Sequence, residues 1–414
     1  MTVGSAVDTD AIDDVLGSVL QPGQDIVIGQ GAGTPLLLLS ALGRHRDRLR
    51  DSRILIGMLS VDMPDLPGTR IRTFFPAGPL GTADELARRE IMYDRMTLYE
   101  LARGLYDGDI AVDVVLAQGT PANNGWHSLG ASVDYLAAAA HRASTVVLET
   151  GPAVPWTGTR STVTADRVLT ILGSDGPACD ERTSSRRHHE MASHIHALVP
   201  DGATVQLGMG PWVAAVVESL TQRRRLRIHT GLLGGWVQVL DEAGALGTDA
   251  KVVATGASGT AAFYRYLDHA THIELAGAHE THDPGRLAEL PKLHAVNSAL
   301  EVDLFGQANT EIGFGGRRGG IGGLPDFANA ASKADDGLSI IAMSATAGAV
   351  SRIVPRLQPE AVSLSSGTVD VLVTEYGAAD LRGLSEEVRA QRIIQVSAPD
   401  HRQWLRDGFD HLDS

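Results

Sequence analysis

Residues 205–236 read VQLGMGPWVAAVVESLTQRRRLRIHTGLLGGW. A short apolar run ends in the glycine turn Gly208, Met209, Gly210, and residues 212–220 then carry helical apolar spacing. Leu226 and Ile228 alternate with Arg225 and Arg227 as a second short strand. Strand, glycine turn, helix and strand in that order predict a βαβ unit of a mostly parallel sheet. The second strand passes through His229 and Thr230 directly into Gly231, a position with no side chain. Whether a site is still built around that position is the question this stretch poses for the rest of the chain.

The same layout occurs about 180 residues earlier. QPGQDIVIGQGAG (21–33) and VPDGATVQLGMG (199–210) are each a turn, a strand and a glycine turn opening a helix. Two such openings predict two similar α/β halves, divided here as residues 1–185 and 186–414. Further strands are expected at Asp25–Gly29, 54–59, 71–78, 113–120 and 145–150 in the first half. The second half should add 251–259, 271–275, 338–344 and 369–377. Residues 83–104 read as one long helix, 151–180 as irregular, and 292–313 as a hairpin turning at Leu304–Gln307.

Composition excludes several classes. At 414 residues with 43% hydrophobic content, the chain is long enough for more than one core. A formal charge of −15 argues against nucleic acid, whose phosphates require a basic face. The N-terminus MTVGSAVDTDAIDD is acidic and lacks the apolar core of a signal peptide. No apolar run is long enough for a membrane span. The single cysteine, Cys179, gives no disulfide framework and points to the cytoplasm; an inert thiol is the favoured reading of it.

Candidate chemistry is sparse. Gly29, Gly31 and Gly33 form a glycine turn without the full dinucleotide fingerprint, so an ordinary strand-to-helix turn outweighs a nucleotide site. His188, His189, His194 and His196 crowd one helix without metal-ligand spacing, so a solvated face outweighs a metal centre and no metal is assigned. The loop 313–323 has seven glycines in eleven residues and contains Arg317 and Arg318. Backbone amides laid over a ligand oxygen are the natural use of such a run, against the plainer alternative of a tight hairpin. Glu301, Asp303, Glu311, Asp326 and Glu375 are the candidate acids, and WHSLG around Ser128 is not a nucleophile elbow.

From residue 292 onward the motifs become specific. AVNSALEVDLFGQAN, GGIGGLPDFANAAS, SIIAMSATAGAVSRIVPRL and VDVLVTEYGAADLRGLS follow in order, and DVVLAQGTPANNGWHSLGASVDY agrees in the first half. Together they resemble the acetyl-CoA hydrolase/transferase family over nearly the whole chain. The resemblance implies two related open, mostly parallel α/β domains of the class I CoA-transferase type, with the active site in the cleft between them. It implies an acyl-substrate domain at 1–185, a CoA-side domain at 186–414, and dimers or larger homo-oligomers. CoA thioesters would be substrates, with no tightly bound cofactor, and the partner would be a small-molecule acceptor. By motif, Gly208, Met209 and Gly210 form the CoA-side turn. Gly320, Gly322 and Gly323 cover the thioester, and Met343 to Ala347 make a further CoA contact.

In that family a glutamate attacks the acyl-CoA, passing through an anhydride to a glutamyl-CoA thioester. It follows the His-Thr at the strand end, and in IHTGLLGG that place is Gly231. The glycine loop also carries Leu324 where the family often has glutamine. Three readings follow. One is an enzyme that keeps the acyl-CoA site but hydrolyses the thioester or transfers the acyl group to a non-carboxylate nucleophile, with His229, His127 or Glu311 as base. The second is a conventional CoA-transferase using a displaced carboxylate, Asp241, Glu242 or Glu311. The third is a non-catalytic CoA-binding or partner subunit.

Overall fold

The computed structural model describes residues 9–173, 179, 184–249, 251–313 and 316–411. The chain forms two compact units, Met1–Asp180 with Val253–Thr281, and Glu181–Val252 with His282–Ser414. The sequence pattern divides the chain once, at 185/186. The compact units divide at Asp180/Glu181, and the chain re-enters the first unit for Val253–Thr281.

In the first unit, seven strands form one sheet. Their order is Met92–Tyr93, Arg70–Thr73, Arg53–Ile56, Asp25–Ile28, Val114–Gly119, Thr145–Thr150, Val168–Leu172. Every neighbouring pair is parallel. The central strands are apolar almost throughout, as a sheet covered on both faces demands. Ile26, Ile28, Ile54, Ile56, Val114 and Leu116 are all at most 1% exposed and share one cluster with Leu38, Leu39 and Leu42 of the helical stretch 36–49.

The second unit repeats the plan. Its strands run Arg227–Leu233, Thr204–Leu207, Leu293–Asn297, Leu338–Ala342, Val371–Thr374, Gly377–Asp380. The pairs whose register is defined are parallel, except the final one, which is an antiparallel hairpin. In both units the chain starts mid-sheet, steps to one side, then returns to the other side of its first strand. The reversal falls between Asp25–Ile28 and Val114–Gly119 in the first unit, and between Thr204–Leu207 and Leu293–Asn297 in the second. At such a switch point the connections diverge and leave a crevice at the carboxyl ends of the strands, where open α/β sheets bind ligands.

Three expectations are revised. The single helix over 83–104 is two, Ala83–Arg88 and Leu98–Asp107, with the short strand Met92–Tyr93 between them. Glu90 takes the left-handed conformation (φ 50°), which ends the first helix. Thr97 and Glu100 then form a capping box that starts the second, so its start was encoded locally. The stretch 151–180 contains the edge strand Val168–Leu172, parallel to Thr145–Thr150. The stretch 292–313 splits: Leu293–Asn297 belongs to the parallel sheet, and only Glu301–Asp303 and Ala308–Asn309 pair as a hairpin. Its turn is held by Asp303, whose Oδ1 accepts from the backbone N–H groups of Phe305 and Gln307.

Candidate functional site

The Arg227–Leu233 strand carries His229 and Gly231 two residues apart, and therefore on one face. Both are half-buried. Gly231 has an ordinary backbone conformation, so the absence of a side chain is not forced by φ. A Cβ placed there would lie 3.4 Å from Nε2 of His282 and 3.8 Å from Cε2 of Phe327, which is ordinary contact. The position tolerates a Cβ and is floored by a histidine.

His282 is fully buried. Its ring meets Phe327 edge-on at 4.7 Å between centroids, and His229 meets the same Phe327 at 6.0 Å. Burial, with a smaller contribution from the charge of His229, pushes the His282 imidazole down to about 3. It is therefore a neutral ring at any working pH. Gly323 closes the other side. A Cβ there would approach His282 Nε2 to 2.4 Å, a collision no side chain could relieve by shifting its own far end. Gly231, Gly323, His229 and Phe327 thus gather around one buried imidazole. Neither His282 nor Phe327 is singled out by the sequence, although Phe327 lies in the motif GGIGGLPDFANAAS, because only packing brings them together.

The other expected residues fall elsewhere in their units. Gly208 and Gly210 are half-buried and Met209 is exposed. The turn is glycine for steric reasons. A Cβ on Gly208 would reach Asn297 Oδ1 at 2.8 Å, and one on Gly210 (φ 148°) would reach Trp212 Nε1 at 2.6 Å. Gly320 and Gly322 are buried, and Gly322 has φ 55°. Met343 is 1% exposed and packs in an apolar cluster with Ile341 and Leu372, whereas Ala347 is exposed in a small hairpin. His127, in the first unit, is buried, and its Nδ1–H donates to the Thr120 carbonyl at 2.7 Å.

Four of the five candidate acids, Glu301, Asp303, Glu311 and Glu375, make hydrogen bonds within the fold. Glu311 is fully buried; Arg317 donates to its Oε1 at 3.1 Å and Ser363 to its Oε2 at 2.8 Å. One of the two loop arginines is thereby committed to an internal ion pair rather than to a ligand. Phe314 and Gly315 of that loop lie outside the described residues. Glu301 accepts from Asn309, and Glu375 Oε2 accepts from the Ala345 amide. Asp303 is the turn cap described above, and burial raises its carboxyl. Among the described residues no group of three or more His, Cys, Asp or Glu is arranged to hold a metal ion, and no helix is long and apolar enough to cross a membrane.

Residues 259–409 match the family of the acetyl-CoA hydrolase/transferase C-terminal domain. The chain is 30% identical, over 95% of its length and 86% of the relative, to a succinyl-CoA:acetate/propanoyl-CoA:succinate CoA transferase of Fasciola hepatica. It is 29% identical to a 4-hydroxybutyrate coenzyme A transferase of Clostridium kluyveri, over 93% of both chains. Among solved structures, RipA from Yersinia pestis superposes with a TM-score of 0.86 at 25% identity, covering 97% of this chain and 96% of that one.

Proposed function

The chain belongs to the acetyl-CoA hydrolase/transferase family, and from that premise we propose that it processes an acyl-CoA thioester without a glutamyl-CoA intermediate. The relatives are named as CoA transferases and acetyl-CoA hydrolases, which supports acyl-CoA processing in general. The altered chemistry is our own reading, and one observation carries it. The position that resembles the family's nucleophile is Gly231, inside the Arg227–Leu233 strand, and the nearest side chains to it are a buried neutral imidazole and a phenyl ring. Neither can form an acyl anhydride or a glutamyl thioester.

The displaced carboxylates offer no substitute. Glu311 is locked by Arg317 and Ser363, and freeing it would break a buried ion pair. Asp241 and Glu242 are exposed at the far end of the Trp236–Glu242 helix, with Asp241 about 8 Å along the axis from its start.

In the proposed reaction water, or another non-carboxylate nucleophile, adds to the thioester carbonyl carbon. His229, on the same strand face as Gly231, takes the proton lost by the nucleophile. The tetrahedral adduct then expels the CoA thiolate, which recovers that proton as the free thiol. The nucleophile takes the place of the side chain that Gly231 lacks. His282 does not titrate in the step; it keeps the floor uncharged beneath the reacting carbonyl.

The test is release of CoA thiol from a series of short acyl-CoAs, with and without added acceptors. The reading expects release without any carboxylic acid acceptor. Strict dependence on a carboxylate, with ping-pong kinetics, would refute it. His229→Asn should lower kcat by about 100-fold or more, the usual scale for losing a general base.

A further inference from the structure

At the second unit's switch point two bare positions lie on diverging strands. Thr204–Leu207 and Arg227–Leu233 run in parallel register through Thr204 with Arg227 and Val205 with Ile228, and the pairing ends there. Carried on, that register sets Leu207 beside Thr230 and Gly208 beside Gly231, and residues in register share a face. Gly208 and Gly231, both half-buried, therefore belong to the face that carries His229. Beyond Val205 and Ile228 the backbone ladder no longer sets how far the glycine turn stands from His229.

On its other side the turn is fixed. The Gly208 N–H donates to the Val296 carbonyl at 2.8 Å. Asn297 fills the place of a Gly208 side chain, its Oδ1 2.8 Å from where a Cβ would stand. Gln206 and Asn297 are both buried and exchange two hydrogen bonds, at 3.1 Å and 2.8 Å, so the wedge is polar but satisfied. Gln118, at the first unit's switch point, shows the opposite condition. It is 1% exposed, lines a cavity of about 380 Å³, and among the described residues has no hydrogen-bond partner at Oε1 or Nε2.

Toward His229 the link is Thr230. Its side chain is fully buried, on the face opposite His229 and Gly231. Its hydroxyl donates to the Leu207 carbonyl at 3.0 Å, with the Leu232 carbonyl at 3.4 Å. The bond thus runs from the residue between His229 and Gly231 to the peptide just before Gly208. Valine would fill the same site with no polar atom to satisfy, so the hydroxyl is accounted for by what it ties. The branched Cβ restricts the side chain to few rotamers, which makes the tie stiff.

We propose that Thr230 is a positioning residue that holds the Gly208–Gly210 turn at working distance from His229. This deepens the acyl-CoA reading and rests on it: the turn carries the acyl-CoA, His229 takes the proton of the nucleophile, and Thr230 touches neither. It fixes the gap between them.

Thiol release and hydrogen–deuterium exchange of the full-length protein test it. Thr230→Val should lower kcat about 10- to 100-fold, the scale of a misplacement of about 1 Å, with KM within about 2-fold of the parent. Thr230→Ser keeps the donor and should restore kcat to within about 3-fold. The pH midpoint of kcat/KM should be the same in both variants, because the hydroxyl lies on the face away from His229. In Thr230→Val, residues 207–212 should exchange about 5-fold faster, the scale of one hydrogen bond, while Leu338–Ala342 keeps its rate. Thr230→Cys, a weaker donor, serves should the valine variant fail to fold. Faster exchange with unchanged kcat would make the hydroxyl a structural bond only and overturn the proposal. Unchanged exchange, or a kcat loss that serine does not restore, would overturn it too. The two readings fail separately. Thiol release that requires a carboxylate acceptor would sink the altered chemistry alone, since the same kcat comparison run with that acceptor still decides Thr230. Acceptor-free thiol release that is indifferent to Thr230→Val would sink the positioning role alone.

Discussion

Gln118 and Gly231 are gaps of opposite kind. Gln118 is a side chain without a partner, beside about 380 Å³ of cavity. Gly231 is a backbone position without a side chain, yet a Cβ there would have His282 3.4 Å away and Phe327 3.8 Å away. The first gap calls for a hydrogen-bonding partner, because the fold leaves both ends of an amide unmatched. The second calls for nothing sterically, because a Cβ there would make only ordinary contacts and the backbone is relaxed. An orphaned polar group is thus the stronger pointer to binding, and a missing side chain the stronger pointer to changed chemistry.

The largest expected effect concerns the floor of the second gap. His282 sits at about 3 when folded against 6.5 for an ordinary histidine. Below 6.5 the unfolded chain takes a proton that the folded chain refuses. Its contribution is complete above pH 6.5 and is lost as pH falls toward 3, at up to about 1.4 kcal/mol per pH unit. Urea titrations across that window should show a shallower acid loss for His282→Asn than for the parent. Equal slopes would mean that the imidazole is solvated.

Next comes Gly323→Ala. With a Cβ forced to 2.4 Å from His282 Nε2, it should cost about 1–3 kcal/mol by denaturant midpoint. Gln206→Leu follows. It leaves the Asn297 amide buried with its partner gone and should cost about 1–2 kcal/mol. Set beside an unchanged or raised stability for Gln118→Met, that loss would sharpen the contrast between the two switch points; equal losses would erase it. The smallest effect belongs to Gly231→Ala, whose added methyl meets only ordinary contacts. Its midpoint should stay within about 0.5 kcal/mol of the parent, and a loss like that of Gly323→Ala would show that the floor is closed.

Much of the fold was legible because its signals are local. IVI, ILI, VVLA and VVLET are strands on composition alone, and the glycine turns mark where each unit begins. What escaped the sequence depends on distant partners. Val168–Leu172 is a strand only because Thr145–Thr150 lies beside it, and the break in 83–104 turns on one left-handed residue, Glu90. The return of Val253–Thr281 to the first unit is likewise a matter of packing. At the site, the sequence named Gly231, His229 and Gly323 but not the His282 and Phe327 that join them. Gln118 lies in the strand motif DVVLAQGT, and nothing in a sequence tells a satisfied amide from an orphaned one.

The most direct test is intact-mass spectrometry of the protein quenched during turnover of an acyl-CoA, run beside the thiol-release assay. The account predicts thiol release with no CoA thioester on any aspartate or glutamate. A CoA adduct on a carboxylate, whether trapped directly or recovered after hydroxylamine cleavage, would contradict it. Gly231→Glu is the built-in control, because a Cβ there meets only ordinary contacts and the same assay should then detect the adduct.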